Sequence, residues 1–182
     1  TGFSFHDDYE LFKKVVDSYD KWDFCQIQYN YMDIENQAGT KGLKYAAEKG
    51  LAVVVMEPLL GGKLAAPPAD VKKLFDDFDS SRTPVDFALQ WVWNHPEVTL
   101  LLSGMSDMEQ VKQNIVSAGV SSVNSLSVEE LVFIDSVREK YNERTVIPCT
   151  KCSYCMPCPS GVSIPQVFEF YNDAQVHEST SL

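Results

Sequence analysis

The 182-residue sequence lacks any apolar run long enough to cross a bilayer. Its longest runs, LAVVVM and VTLLL, stop far short of the roughly 20 residues that a membrane helix needs. Cations are scarce. Lys and Arg number 15 against 26 Asp and Glu, a net charge of −11, and the sequence pI is 4.6. No basic stripe is present, which disfavours nucleic acid bound through its phosphates, and the acidity is read as solubility. Neither an initiating Met nor a signal peptide opens the chain. Thr1 leads straight into the apolar, strand-like GFSF, a start expected of a fragment or a processed product. Cysteine is nearly absent from the first 148 residues, where Cys25 stands alone. The other four, Cys149, Cys152, Cys155 and Cys158, crowd into ten residues. A secreted disulfide scaffold spreads its cysteines, so this crowding predicts metal binding in a reducing, cytoplasmic compartment.

Apolar residues make up 45% and charged residues 23%, an ordinary balance for a globular chain with a core. The first 120 residues alternate strand-like and helix-like segments. Strands are predicted at 2–5, 24–30, 51–56 and 98–104. LAVVVM and VTLLL read as strands buried on both faces. A helix is predicted over 7–20, capped by Asp7 or Asp8, with Leu11, Val15, Val16 and Tyr19 on its apolar face. Further helices are predicted over 40–50 with Thr40 as cap and Gly50 as stop, over 69–78, over 83–95 behind Thr83 and Pro84, over 107–119, and over 127–143 opened by a Ser127/Glu130 capping box. A last helix begins near Pro165. The polar tail HESTSL is expected to be disordered.

Each β-run is followed by a helix, which specifies parallel β/α architecture. A complete (β/α)₈ barrel takes about 250 residues, so four units make half of one. An open sheet of four strands exposes two edges. A partner is therefore expected, either the missing N-terminal half barrel or a second copy of this chain. The predicted domains are a half barrel over 1–143 and a cysteine-rich extension over 144–182.

The cysteines follow C-x₂-C-x₂-C-x₂-C-P. This is close to the bacterial ferredoxin run C-x₂-C-x₂-C-x₃-C-P and predicts a [4Fe–4S] cluster on Cys149, Cys152, Cys155 and Cys158. Zinc sites more often join two CxxC knuckles a dozen or more residues apart, which makes structural zinc the alternative metal. Redox disulfides and inert thiols are the remaining readings. Either the four hold one cluster, or Cys158 serves a second whose other ligands lie beyond residue 182. Cys25, in a predicted strand, reads as a small buried apolar residue.

GFSFH, QIQYN, MEPLLGGKL and SGMSDMEQVKQNI, in this order at strand ends, resemble the second half of an aldo/keto reductase. The cysteine run resembles the subgroup with a ferredoxin-like C-terminal extension. The likeness spans roughly residues 2–172. It implies that the four strands are the fifth to eighth of a TIM (β/α)₈ barrel. It also implies an NADP or NAD cofactor, with the choice between them open, and a small-molecule carbonyl substrate. Ser4 and Gln26 match residues that hold the nicotinamide carboxamide, although Phe5 stands where Asn is expected. Met56 takes the place of the aromatic that stacks under the ring. Glu57 replaces a Ser before Pro58 and Leu59 and brings negative charge toward a phosphate-bearing cofactor. Gly104, Ser106, Glu109, Gln110, Gln113 and Asn114 fall in the segment that resembles the adenosine-binding end, with Gln110 where many relatives carry a cation.

The family's Asp, Tyr, Lys and His belong to the first half of the barrel, so the resemblance implies an oxidoreductase fragment that is inactive alone. His6 is the local acid–base candidate and is not expected to be the catalytic His. His95 is expected to end a helix, and His177 lies in the tail. The second functional reading is an electron-transfer or interaction module in which the cluster serves a redox partner protein. Hydride moves two electrons and a cubane takes one, so coupling the two sites would need a splitter.

Overall fold

The computed structural model describes residues 1–78, 81–149 and 154–177. Cys152 and residues 178–182 of the tail lie outside the described residues. The chain forms two compact units, Thr1–Ala65 with Ser81–Ile134, and Ala66–Ser80 with Asp135–Leu182.

In the first unit, β1 (Gly2–Ser4), β2 (Phe24–Gln28), β3 (Ala52–Met56) and β4 (Leu100–Leu101) form one parallel sheet in sequence order. The crossovers contain α1 (Tyr9–Asp17), α2 (Gly39–Glu48) and α4 (Pro84–Trp93); α5 (Met108–Gly119) follows β4. The α/β class and the parallel alternation expected from the sequence are both present. Register pairs Phe3 with Cys25 and Cys25 with Val53. Strand alternation then turns Cys25, Ile27, Val53 and Val55 into the core with Phe12, Val16 and Leu43. At Gly42 a Cβ would lie 2.5 Å from the Ala38 Cβ and 3.3 Å from the Phe12 ring, so the missing side chain permits the close approach of α2 to α1.

Several local expectations are corrected. LAVVVM is not buried on both faces. Val53 and Val55 are buried, while Ala52, Val54 and Met56 are half-buried. VTLLL is not a buried strand either. Its regular part is two residues long, and Leu100 and Leu102 are exposed. The reason is that β4 pairs only with β3 and forms a sheet edge. On α1 the buried residues are Phe12 and Val16; Leu11 and Tyr19 are exposed. Thr40 is not an N-cap. Helix α2 starts one residue earlier, after Ala38, and the Thr40 hydroxyl donates to the Ile34 carbonyl at 2.9 Å.

Other ends behave as their chemistry dictates. Asp8 caps α1. Thr83 and Asp86 form a reciprocal capping box on α4 behind Pro84, and Ser127 and Glu130 do the same at the start of α6 (Val128–Glu143).

The second unit contains α3 (Ala69–Asp77), the later part of α6, and α7 (Ile164–His177). Val71, Val137, Tyr141 and Val176 are buried. Arg144 pairs with Asp70 at 2.7 Å and donates to the carbonyls of Gln175 and Val176, satisfying the end of α7. Asn172 exchanges two hydrogen bonds with the Ile147 backbone, at 2.9 and 2.7 Å, and so anchors the chain just before Cys149. Among the described residues no helix is long and apolar enough to cross a membrane.

Candidate functional site

The open face of the sheet in the first unit carries Ser4, Gln26 and Gln28 among apolar side chains. Parallel register sets Ser4 beside Gln26. The Gln26 side-chain amide donates to the Met56 sulfur at 3.4 Å. Ser4 is exposed, and Gln26 and Met56 are half-buried. A weak sulfur acceptor leaves the amide of Gln26 available to a better one.

Beyond β2 lies a network that the sequence reading did not single out. Asn30 is fully buried. Its Oδ1 accepts from the amides of Met32 and Asp33, at 3.0 and 2.9 Å. Its Nδ2 donates to the Glu57 carbonyl at 3.0 Å. Gln28 donates to Asp33 at 2.6 Å and accepts from Gln37 at 3.2 Å. The signal was present: Gln26, Gln28 and Asn30 alternate at period two along an otherwise apolar strand.

The loop after β3 is tightly turned. Glu57, Leu60, Gly61 and Gly62 all have left-handed φ, at 57, 49, 64 and 89°. The Glu57 carboxylate accepts from the Gly61 amide. This loop and the one after β4 line two clefts. One, of about 270 Å³, runs between Glu57, Gly61, Gly62 and Gly104. The other, of about 120 Å³, brings Leu59 and Gly62 to Gly104, Gln110, Gln113 and Asn114. Asn114 donates to the Ser103 hydroxyl at 3.1 Å and so ties α5 to the strand end. Helix α5 is capped by Asp107, which accepts from the Gln110 amide at 2.8 Å, and the Ser106 amide donates to the Gln110 side chain, also at 2.8 Å. Gln113 donates to Glu109 at 3.1 Å.

Six of the ten expected cofactor residues therefore line these clefts with others of the same loops. Glu57, Leu59 and Gly104 meet in the larger one, and Leu59 and Gly104 recur with Gln110, Gln113 and Asn114 in the smaller, which adds three more. Ser4, Gln26 and Met56 belong to the sheet face, and Ser106 stands just outside the lining. The donor set fits a carboxamide and a polar adenosine end. At the clefts it offers no cation for phosphate, and the only charged side chain among the described lining residues is Glu57.

No histidine joins this set. His6 is exposed beyond β1. The His95 Nδ1 lies 2.9 Å from the Trp91 carbonyl, and its ring packs against Trp91 and Tyr29. Burial lowers its proton affinity. Cys25 is fully buried, and burial pushes its thiol up to about 12. It is the inert core residue that its strand position suggested.

In the second unit, Cys149 and Cys158 are half-buried, Cys155 is exposed, and none is in a disulfide. Among the described residues no group of three or more His, Cys, Asp or Glu is arranged to hold a metal ion. The three described thiols do not by themselves make a metal centre.

A parallel strand–helix repeat with its polar loops gathered at the strand ends is how (β/α) barrels build their sites. The chain belongs to the aldo/keto reductase family, which it matches over residues 1–139. Over 91 residues it is 31% identical to the uncharacterized oxidoreductase C215.11c of Schizosaccharomyces pombe, covering 50% of this chain and 29% of that protein. Among solved structures it is similar to aldo-keto reductase AKR11C1 from Bacillus halodurans in its holo form, with a TM-score of 0.60, 23% identity, and coverage of 75% of this chain and 49% of that one. It is also similar to an aldo-keto reductase from Klebsiella pneumoniae in complex with NADPH, with a TM-score of 0.53 and 23% identity, over 75% of this chain and 47% of that one. The chain thus spans about half the length of these solved relatives.

Proposed function

We propose that this chain supplies strands five to eight of an aldo/keto reductase barrel, carries part of an NADP- or NAD-binding pocket, and works only with the other half of that barrel. The observation that carries the reading is the convergence of Leu59, Gly104, Gln110, Gln113 and Asn114 on one cleft, together with the Ser4–Gln26 row on the open sheet face. When bound, the dinucleotide supplies hydride to a small-molecule carbonyl. Ser4 and Gln26 hydrogen-bond its carboxamide, and Met56 offers a polarizable sulfur to the ring. Asn114 holds Ser103, and both line the smaller cleft beside Gly104. No group in this set can protonate a carbonyl oxygen, so the general acid comes from the partner half.

Two features support a partner. The sheet has two edges, and β4 leaves Leu100 exposed. Beyond that edge, Met108, Ile115 and Val116 of α5 are each about two-thirds exposed. An apolar strip of this kind marks an interface. The occupant is the missing N-terminal half barrel or a second copy.

The domains are proposed as 1–143 and 144–182. For the second, the spacing of Cys149, Cys152, Cys155 and Cys158 supports a [4Fe–4S] cluster, and a reducing, cytoplasmic setting follows from it.

Two measurements test the proposal. Fluorescence titration of the chain with NADPH and NADH should show binding but no carbonyl reductase turnover. Iron and acid-labile sulfide after anaerobic purification should approach about four each per chain. A cluster with reversible one-electron chemistry and no dinucleotide binding would favour the electron-transfer module instead. Zinc alone would make the tail a structural staple.

A further inference from the structure

We infer that the Glu57 carboxylate is a built-in competitor for the phosphates of the dinucleotide, holding the loop after β3 in an anion-filled state and setting the affinity of the chain for anionic cofactors. The inference rests on the cofactor reading above and goes one residue deeper.

Glu57 is the first residue after β3 and takes a left-handed φ of 57°, which ordinary side chains resist. It is held there from outside the loop, because the buried Asn30 amide donates to its carbonyl at 3.0 Å. The chain then turns through three successive left-handed residues, Leu60, Gly61 and Gly62. That path brings the Gly61 amide back to the Glu57 side chain, and Oε2 accepts its proton. A peptide N–H in this loop already binds an anion, and the anion is the chain's own.

The surroundings make that contact matter for a ligand. Glu57 and Gly61 line the larger cleft with Gly62 and Gly104. A Cβ built on Gly62 or Gly104 would meet nothing within 4 Å, so the space beside the carboxylate is open. Glu57 is the only charged side chain among the described residues lining the two clefts. A phosphate entering here has to take the Gly61 amide from the carboxylate, meets its charge, and finds no lining cation to offset it. Charge-assisted contacts of this type are about twice as strong as neutral ones, and like charges brought together suppress binding.

The test uses the whole chain as wild type, Glu57→Gln and Glu57→Ser. Gln keeps the shape and an acceptor for Gly61 without the charge. Calorimetry with NADPH should show Glu57→Gln binding about tenfold tighter than wild type. The gap should shrink as salt is raised to about 0.5 M, where the charge is screened. In amide NMR, inorganic pyrophosphate should move the Gly61 signal in Glu57→Ser and leave it in place in wild type. Wild-type and Glu57→Gln chains that bind NADPH equally, or a weaker Glu57→Gln, would overturn the inference and leave the cofactor reading standing. If neither chain binds NADPH, the cofactor reading fails. The Gly61 signal then decides, because movement in Glu57→Ser alone sustains the competitor and stillness in both chains overturns it. Should Glu57→Ser fail to fold, Glu57→Gln carries both readouts.

Discussion

The side-chain amide of Asn30 reaches across from the end of β2 and holds the carbonyl of Glu57, 27 residues later, at 3.0 Å. Its carbonyl oxygen meanwhile satisfies the amides of Met32 and Asp33. One buried residue therefore organises two loops of the candidate site. Replacing Asn30 by Ala leaves three backbone groups without that partner. Each such group costs about 1–3 kcal/mol where it is kept from water. Urea unfolding of Asn30→Ala should show a loss in this range or above, and hydrogen exchange should show faster opening over residues 57–62. An unchanged midpoint would mean that the Glu57 loop is held by other contacts.

His95 should make the first unit sensitive to mild acid. Burial favours its neutral ring in the folded chain, so its folded pKa lies below the free value of 6.5. The unfolded chain then takes up the proton first as pH falls. Stability from this group is full above about pH 7 and declines below it, until the folded ring also titrates. The Trp91 carbonyl and the nearby Glu97 oppose the shift, and Lys44 adds to it. Melting temperatures from about pH 7.5 to 5.5 should fall more steeply in wild type than in His95→Phe. Parallel slopes would remove His95 as the cause.

Asp17 acts in the same direction at lower pH. Hydrogen bonds from Lys49, Tyr45 and Lys13 hold its carboxyl well below the usual carboxylate range. The folded chain therefore favours the charged form. This stabilisation is present above the ordinary carboxylate pKa of about 3.9 and is lost as pH falls below it. The cluster is exposed, so its contribution is small at neutral pH and screened by salt. Acid titration followed by circular dichroism should show a shallower acid limb for Asp17→Asn. An identical limb would assign acid unfolding to other carboxylates.

Cys25 and Cys155 should separate cleanly under alkylation. Cys25 is fully buried, with its thiol pushed up to about 12, and the thiolate is the reactive form. Cys155 is exposed. Iodoacetamide footprinting of the metal-free native chain near neutral pH should label Cys155 within minutes and Cys25 only after denaturant. Early labelling of Cys25 would mean that the β2–β3 core opens readily.

Much of the architecture was legible before any coordinates. The strand-like FCQIQYN and the continuous apolar LAVVVM located β2 and β3, and the helix-like segments between strands marked parallel rather than hairpin pairing. Thr83–Pro84 and Ser127–Glu130 announced helix starts, because capping and first-turn preferences act between residues a few positions apart. Burial was harder to read. Leu100 and Leu102 look like core residues, yet they sit on a strand with a neighbour on one side only. A run of apolar residues records what a strand can bury, not what lies beside it. The candidate site was legible only in part for the same reason. Gln26 and Gly104 stood out through the family resemblance, while Asn30 gave only a period-two hint.

The sequence by itself determined the elements of this protein, because helix and strand periods and caps are local patterns within a few residues. It also carried the cysteine spacing, which is covalent and independent of packing. Only the tertiary structure decided that Asn30 would reach Glu57, that Glu57 would turn back onto Gly61, and that the two loops would share clefts at Gly104. Those contacts depend on sheet register and on a few left-handed dihedrals, and a displacement of one residue in either would send the same side chains elsewhere.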